Sequence, residues 1–195
     1  MIKRILSFLI ILSIAASIIV FPSFAASLTT EEKALNLKKI SIFSEDDTKF
    51  PLSQKLTRYE AAVYAARLMG AEKTIKENSE IYRKTNFTDV PEYMWYAPYI
   101  GYCTSKGIIS GVGNNMFKPN DYVTEKDFLI ILLGSLGYKS GIDFNWNTVF
   151  MTSYSAGLVK QISYIGKTQD NTNFTRRDAV EILYNALSTK LRGTD

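Results

Sequence analysis

The sequence predicts an all-α fold built from three copies of one helix–loop–helix unit. The first observation behind this is internal repetition: residues 40–70 align without a gap with residues 107–137, and a third copy with one inserted residue runs from 157 to 187. The second is a Thr-x-x-Glu or Thr-x-x-Asp sequence ahead of an apolar helical pattern in each copy. With 195 residues, the chain has room for these units and little else.

The first 25 residues have the order of charged, apolar and small residues that is typical of a secretory signal peptide. Lys3 and Arg4 precede an uncharged, mostly apolar run at 5–21, and Ser23 and Ala25 are the small residues before a cleavage point. A membrane anchor is the alternative, because about 20 apolar residues can span a bilayer. The run is slightly short for an anchor, so we expect export, cleavage after Ala25 and a mature chain that does not contact the membrane.

The second helix of each unit is the best defined element. The threonine of each capping box accepts a bond from a backbone amide that has no partner within the helix, and the acidic residue bonds back. The boxes begin at Thr57, Thr124 and Thr175. Apolar residues then recur at i, i+3, i+4 and i+7, so each helix has one face to bury. Gly70 and Gly137 are placed to end the first two of these helices in the left-handed conformation.

The first helix of each unit is predicted at 31–39, 95–106 and 148–157. The segment Asp143-Phe-Asn-Trp146 ahead of the third copy echoes the Phe87, Asp89 and Trp95 pattern ahead of the second, and the first copy lacks this start. The chain therefore divides into a signal peptide at 1–25 and repeats at 26–80, 81–140 and 141–195, the first of them incomplete at its start.

Composition excludes several classes of function. The chain has no histidine, which excludes Ser-His triads, histidine general acids and His-ligated metals. Cys103 is its one cysteine, which excludes an intrachain disulfide, and its apolar neighbours predict a buried thiol. Removing Lys3 and Arg4 from the 23 Lys+Arg leaves 21 against 19 Asp+Glu, a net charge of +2 that gives no electrostatic case for nucleic acid. We expect no catalytic residue, metal or cofactor.

Unit two resembles a motif of the S-layer homology (SLH) family. The resemblance is carried by Phe87-x-Asp89-Val-Pro, Trp95, Gly107-Ile-Ile-Ser-Gly111, Phe117-x-Pro119 and Val123-Thr-x-x-Asp127. Leu56-Thr-Arg-Tyr-Glu60 and Phe174-Thr-Arg-Arg-Asp178 resemble the Thr-Arg-Ala-Glu signature of the same family in units one and three. The resemblance implies a pseudo-three-fold arrangement in which the Thr-capped helices form a central bundle and grooves separate three prongs.

The same resemblance implies a function outside the cell. Members of the family bind secondary cell wall polysaccharide, often with a pyruvate ketal, and so tether proteins non-covalently to Gram-positive walls. This implies a secreted, non-enzymatic protein of the cell wall or S-layer, whose partner is polysaccharide attached to peptidoglycan, with a cargo or S-layer protein as a second candidate partner. The alternative is a degenerate SLH scaffold that binds another protein in the cell envelope.

Arg58 and Arg176 are the main candidates for binding that polysaccharide. Both fall at the first helical position, where a cation is disfavoured by a few tenths to about 1 kcal/mol. A guanidinium beside free helix amides suits a carboxylate such as a pyruvyl group. The alternative is that each arginine pairs with an acid of a nearby loop, such as Asp46, Asp47 or Asp170. In unit two Glu125 replaces the arginine and repels an anion, so we expect one or two competent grooves.

Four further residues complete the predicted ligand-binding set. Trp95 suits stacking on a sugar face or docking of the first helix onto the bundle. Asp89 is expected to cap that helix or form an Asx turn, with a sugar hydroxyl as its alternative partner. Gly111 allows close approach of a ligand or only a tight turn, and Lys118 supplies charge in the groove or is merely solvated. The other cations beside the caps are expected to face solvent: Lys126 and Arg177.

Overall fold

The structure, a computed structural model, describes residues 27–43 and 51–193. Within these ranges the chain forms eight α-helices, and the strand-like contacts are isolated bridges, so the predicted all-α class is confirmed. The helices are α1 (Thr30–Lys39), α2 (Arg58–Leu68), α3 (Glu72–Glu77), α4 (Ser79–Tyr82), α5 (Ala97–Ser105), α6 (Glu125–Ser135), α7 (Val149–Ala156) and α8 (Arg176–Ala186). The predicted signal peptide and the acids Asp46 and Asp47 lie outside the described residues. No helix in the described part is both long and apolar enough to cross a bilayer.

The three predicted capping boxes are all present. They pair Thr57 with Glu60 at the start of α2, and the equivalent threonine and aspartate at the starts of α6 and α8. A fourth box, which the repeat comparison does not single out, joins Thr29 and Glu32 ahead of α1. Gly70 and Gly137 have φ angles of +68° and +90°, as their predicted role in ending α2 and α6 requires.

The units pack in a cyclic order. The first helix of one unit lies on the second helix of the unit before it, so α5 packs on α2 and α7 packs on α6. α1 packs on α8, which brings the beginning and the end of the described chain together and closes the ring. This last junction is polar: Lys33 and Glu181 form an ion pair at 2.5 Å, and Arg177 pairs with Glu31 at 2.6 Å. Arg177 therefore lies at the surface, as expected.

The three Thr-capped helices begin at a shared ring of hydrogen bonds. The first two backbone amides of each helix donate to the loop ahead of another capped helix. In α2, the amides of Arg58 and Tyr59 donate to the carbonyls of Asp121 and Pro119, and in α8 those of Arg176 and Arg177 donate to the carbonyls of Gln54 and Leu52. In α6, the amide of Glu125 donates to the carbonyl of Asn171 and that of Lys126 to the carboxylate of Asp170. Leu56, Val123 and Phe174, which precede the three caps, are fully or almost fully buried. This ring fixes the positions of the residues that follow each threonine.

The segment between units one and two adds structure that the repeat pattern does not predict. It contains the short helices α3 and α4, which pack on α5. The approach of α4 is close enough that a Cβ atom at Gly101 would lie 1.8 Å from the carbonyl oxygen of Tyr82. On the α2 side of α5, Cys103 is fully buried and its thiol donates to the carbonyl of Ala62 at 3.4 Å. The predicted burial of this thiol is confirmed, and burial raises its pKa to about 12.

Candidate functional site

An open cavity of about 290 Å³ lies at the start of α2, between units one and two. Its wall is formed by Arg58, the loop at 108–112, and Asp127 and Ile131 on α6. Trp146, just before the first helix of unit three, completes the wall and is 56% exposed. The cavity thus combines one cation, one carboxylate and apolar surface, which is the usual composition of a small-ligand site.

Arg58 is held in this cavity by backbone carbonyls. Its Nε donates to the carbonyl of Phe117 at 2.8 Å, and one Nη donates to the carbonyl of Ser110 at 3.2 Å. The guanidinium also lies over the Phe117 ring, 4.7 Å from its centroid. An arginine has five N–H donors, so about three of them are left for a ligand. Among the described residues, no carboxylate forms an ion pair with this guanidinium.

The surroundings of Arg58 leave it charged. Burial lowers the pKa of the guanidinium, and the negative charges of Asp127, Asp121 and Asp89 oppose that shift. A guanidinium keeps its proton at neutral pH despite such a shift. The site therefore presents a fixed positive charge whose orientation is set by two hydrogen bonds.

Asp89 positions the loop that holds Arg58. Its two carboxylate oxygens accept hydrogen bonds from the backbone amides of Phe117 at 2.8 Å and Lys118 at 2.7 Å. The prediction that Asp89 caps the first helix of unit two is wrong, because the residue ahead of α5 is Tyr96 and it makes no side-chain cap. Asp89 therefore acts on the site through the Phe117 carbonyl.

The prediction of free amides at the helix starts is wrong. The amide of Arg58 donates to Asp121 at 2.9 Å, that of Arg176 donates to Gln54 at 2.8 Å, and the third amide of each helix bonds to the capping threonine. The physical reason is the cyclic packing, which places the loop of a neighbouring unit over each helix start. An anion at Arg58 would be bound by the side chain and not by the helix terminus.

Arg176 has a different environment from Arg58. It is only 2% exposed, and it forms an ion pair with Glu60 at 3.3 Å and donates a hydrogen bond to the hydroxyl of Tyr64 at 2.8 Å. Tyr64 in turn packs against Phe43, with 4.8 Å between ring centroids. The structure does not bring Arg176 into an open cavity with Arg58, and these contacts give its side chain a role in packing.

The third equivalent position, Glu125, is also buried and paired. It accepts a hydrogen bond from the Tyr164 hydroxyl and forms an ion pair with Lys167 at 2.6 Å, in a groove of about 230 Å³. Burial and then the bond to Glu125 raise the pKa of Tyr164. The next residue, Lys126, is 6% exposed, so the prediction that it faces solvent is wrong. Its ammonium lies 4.6 Å from the centroid of the Trp146 ring, and this cation–π contact draws it inward.

The remaining predicted residues are distributed around more than one unit. Trp95 is 58% exposed and packs edge-on against Tyr59, with 5.9 Å between ring centroids, outside the Arg58 cavity. Lys118 pairs with Asp121 at 3.7 Å and is also outside that cavity. Gly111 lines it, and a Cβ there would come within 2.7 Å of Phe87.

Trp146 and Asp127 line this cavity but are absent from the predicted ligand set. The signal for Trp146 was present in the sequence, because the repeat comparison aligns Trp146 with Trp95. The cyclic packing explains why Trp146 lines the cavity and Trp95 does not, because each tryptophan lies against the second helix of the preceding unit. Trp95 contacts α2 and Trp146 contacts α6, which carries the cavity wall.

Comparison with known proteins places the unit that forms most of the cavity in a family. Residues 86–129 match the S-layer homology domain. This range contains Asp89, Gly111 and Lys118 and extends through the first turn of α6. The match lies within unit two, the unit whose sequence carries the longest set of SLH motif residues.

Several characterised proteins are similar to larger parts of the chain. The middle cell wall protein of Brevibacillus brevis is 25% identical over 144 residues, which are 73% of this chain and 13% of that protein. A cell surface protein of Thermoanaerobacter kivui is 31% identical over 100 residues, 51% of this chain and 12% of that protein. An endoglucanase of a Bacillus species is 32% identical over 117 residues, 52% of this chain and again 12% of that protein.

The chain thus spans only about an eighth of the length of these relatives. The shared region recurs in two proteins named for the cell wall or cell surface and in one named as an enzyme, so it accompanies different larger proteins. The matched domain and the names of these relatives support a role at the cell surface. The match shows an S-layer homology domain at residues 86–129 of this chain.

Proposed function

We propose that this chain binds secondary cell wall polysaccharide, non-covalently and without catalysis, and so anchors itself or a partner at the outer face of a Gram-positive cell. The observation that carries the proposal is Arg58: a fixed guanidinium in an open cavity, with N–H donors left for a ligand. The charge and planar shape of a guanidinium match a carboxylate, such as that of a pyruvate ketal on a sugar. The proposal places the acidic group at Arg58.

The other walls of the cavity suit the rest of a sugar. Asp127 offers carboxylate oxygens to sugar hydroxyls, and Trp146 offers an exposed ring for a sugar face. Gly111 keeps the opposite wall free of a side chain. Asp89 holds the 117–118 turn that orients Arg58 and is a positioning residue. In this assignment Trp95 and Lys118 lie outside the binding cavity, and Arg176 stabilises the fold.

We further propose that residues 26–80 and 141–195 are SLH repeats that flank the matched one. The capped helices at equivalent positions and the cyclic order of packing support this. Of the three equivalent positions, Arg58 is then the one whose cation forms no ion pair with a described carboxylate, since Arg176 pairs with Glu60 and the third position is the acidic Glu125. The difference at those two positions is also what favours the alternative, a scaffold that binds a protein of the envelope.

Sedimentation with purified sacculi tests the proposal and separates it from the alternative. The wild-type chain should sediment with sacculi, and chemical removal of the polysaccharide should abolish this. Arg58→Ala should weaken the association by at least about tenfold, as expected when a charged hydrogen-bond donor to a ligand is lost. Arg177→Ala is the matched control, because Arg177 is exposed, pairs with Glu31 and does not line the cavity. Sedimentation that survives removal of the polysaccharide, or is unaffected by Arg58→Ala, would contradict the proposal.

A further inference from the structure

We infer that the Arg58 cavity continues into a second subsite, formed where α4 packs on α5, which binds the next sugar residues of an extended glycan. This inference rests on the proposed function and names a further part of the same site. The second cavity has a volume of about 510 Å³, which is within the range of small-ligand sites. It is built from the segment at 81–87 and the outer face of α5, with Thr104 and Ser105 on its wall.

The two cavities share one wall. Ile109, Ser110 and Gly111 line both of them, so this short stretch of loop is the partition. The carbonyl of Ser110 accepts the hydrogen bond from Arg58, while the same residue borders the second cavity. The lack of a side chain at Gly111 keeps the partition thin, since a Cβ there would meet the Phe87 ring at 2.7 Å. In the proposal, the glycan crosses this wall between the sugar at Arg58 and the next one.

The chemistry of the second cavity suits a glycan more than an apolar ligand. Its lining combines the apolar side chains of Phe87 and Ile81 with the polar side chains of Lys84, Thr85 and Thr104. Sugars present apolar C–H faces and hydroxyl groups, so a lining of both kinds complements them. Lys84 is exposed and makes no ion pair with any described residue, which leaves its charge for an acidic group on a later sugar.

The segment that forms this cavity lies outside the repeated unit. Residues 71–85 follow the end of the first aligned copy and precede the Phe87 motif, and their helix α4 packs on α5. Neither α6 nor α8 is followed by a described helical pair of this kind. The second subsite therefore accompanies the Arg58 groove alone among the equivalent positions that the structure describes.

The test compares glycans of different length. Fragments of pyruvylated wall polysaccharide, separated by size, are titrated into the wild-type chain and into Thr104→Trp, which fills the second cavity from an exposed helical position. The wild-type chain should bind fragments of two or more repeating units at least about tenfold more tightly than a single unit. Thr104→Trp should lose this gain and keep its affinity for the single unit within about twofold. Lys84→Glu should reduce the gain in the same direction by reversing a charge.

The control is Thr74→Trp, the same replacement at an exposed position of α3 outside both cavities. It should retain the full dependence on length, and circular dichroism should show equal helix content in all variants. A gain with length that survives both Thr104→Trp and Lys84→Glu, or no gain in the wild-type chain, overturns the second subsite. Failure of the proposed function is distinguishable, because there Arg58→Ala would leave the affinity for the single unit unchanged.

Discussion

Arg58 and Arg176 both follow a capping threonine, yet one side chain lines an open cavity and the other is 2% exposed. The difference comes from the unit on which each arginine lies. Arg58 faces Asp127 of unit two, whereas Arg176 faces Glu60 of unit one, which occupies the equivalent position and is longer by one methylene. Glu60 caps its helix with one oxygen and reaches Arg176 with the other, at 3.3 Å.

A second difference between equivalent residues of α2 and α6 adds to the contrast between Arg58 and Arg176. In the gapless alignment of the first two units, Tyr64 of α2 corresponds to Ile131 of α6. The Tyr64 hydroxyl accepts a bond from Arg176, and its ring packs on Phe43. Ile131 brings no hydroxyl to Arg58 and lines the cavity. An arginine that directly follows a capping threonine thus becomes a structural or a ligand-facing group according to the residues of the neighbouring unit.

The largest effect that we expect is on stability. Arg176→Ala should lower the free energy of unfolding by about 3 kcal/mol, because it leaves Glu60 buried without its cationic partner. Urea unfolding followed by circular dichroism measures this. Arg177→Ala should cost less than about 1 kcal/mol, since it breaks an exposed ion pair. Equal, small losses in both variants would show that the buried pair does not stabilise the fold.

Replacing Asp127 and Ile131 with the residues that bury Arg176 should convert the open Arg58 site into a closed one. The double variant Asp127→Glu with Ile131→Tyr places the partners of Arg176 beside Arg58. We expect it to weaken binding of pyruvylated polysaccharide by about tenfold and to lower the free energy of unfolding by about 1 to 3 kcal/mol, since tyrosine is larger than the buried Ile131. Asp178→Glu is the control, because it lengthens the same capping residue in α8, away from Arg58. Unchanged affinity in the double variant would show that the polysaccharide does not bind in this cavity.

The smallest effect that we expect is at Lys118, which the sequence also predicts as a ligand-binding residue. Lys118→Asn should change the affinity for the polysaccharide by no more than about twofold, because Lys118 pairs with Asp121 outside the cavity. Asparagine is chosen since Lys118 has a φ angle of +55°, a conformation that asparagine tolerates. Isothermal titration measures the affinity. A loss approaching that of Arg58→Ala would place Lys118 in the site.

The local structure of this chain is readable from its sequence, and the contacts between units are not. The caps at Thr57, Thr124 and Thr175 and the left-handed glycines were predicted because each depends on residues within one turn. The buried state of Arg176 and Lys126 was missed because it depends on Glu60 and Trp146, which are distant in sequence.

The helices α3 and α4 were missed for a different reason. The repeat comparison is informative only where units correspond, and residues 71–85 have no counterpart in it. The sequence predicts the wrong partner for Asp89, because its bonds to the amides of Phe117 and Lys118 close a loop that sequence spacing does not reveal.

The most direct measurement of the central claim is a thermodynamic cycle between Arg58 and the acidic group of the ligand. Pyruvylated fragments and the same fragments after removal of the ketal are titrated into the wild-type chain and into Arg58→Ala. If the guanidinium binds the ketal carboxylate, removal of the ketal should weaken binding to the wild-type chain by about tenfold and binding to Arg58→Ala by less than about twofold. An equal loss in both proteins would contradict the account, since it would mean that the carboxylate is recognised elsewhere.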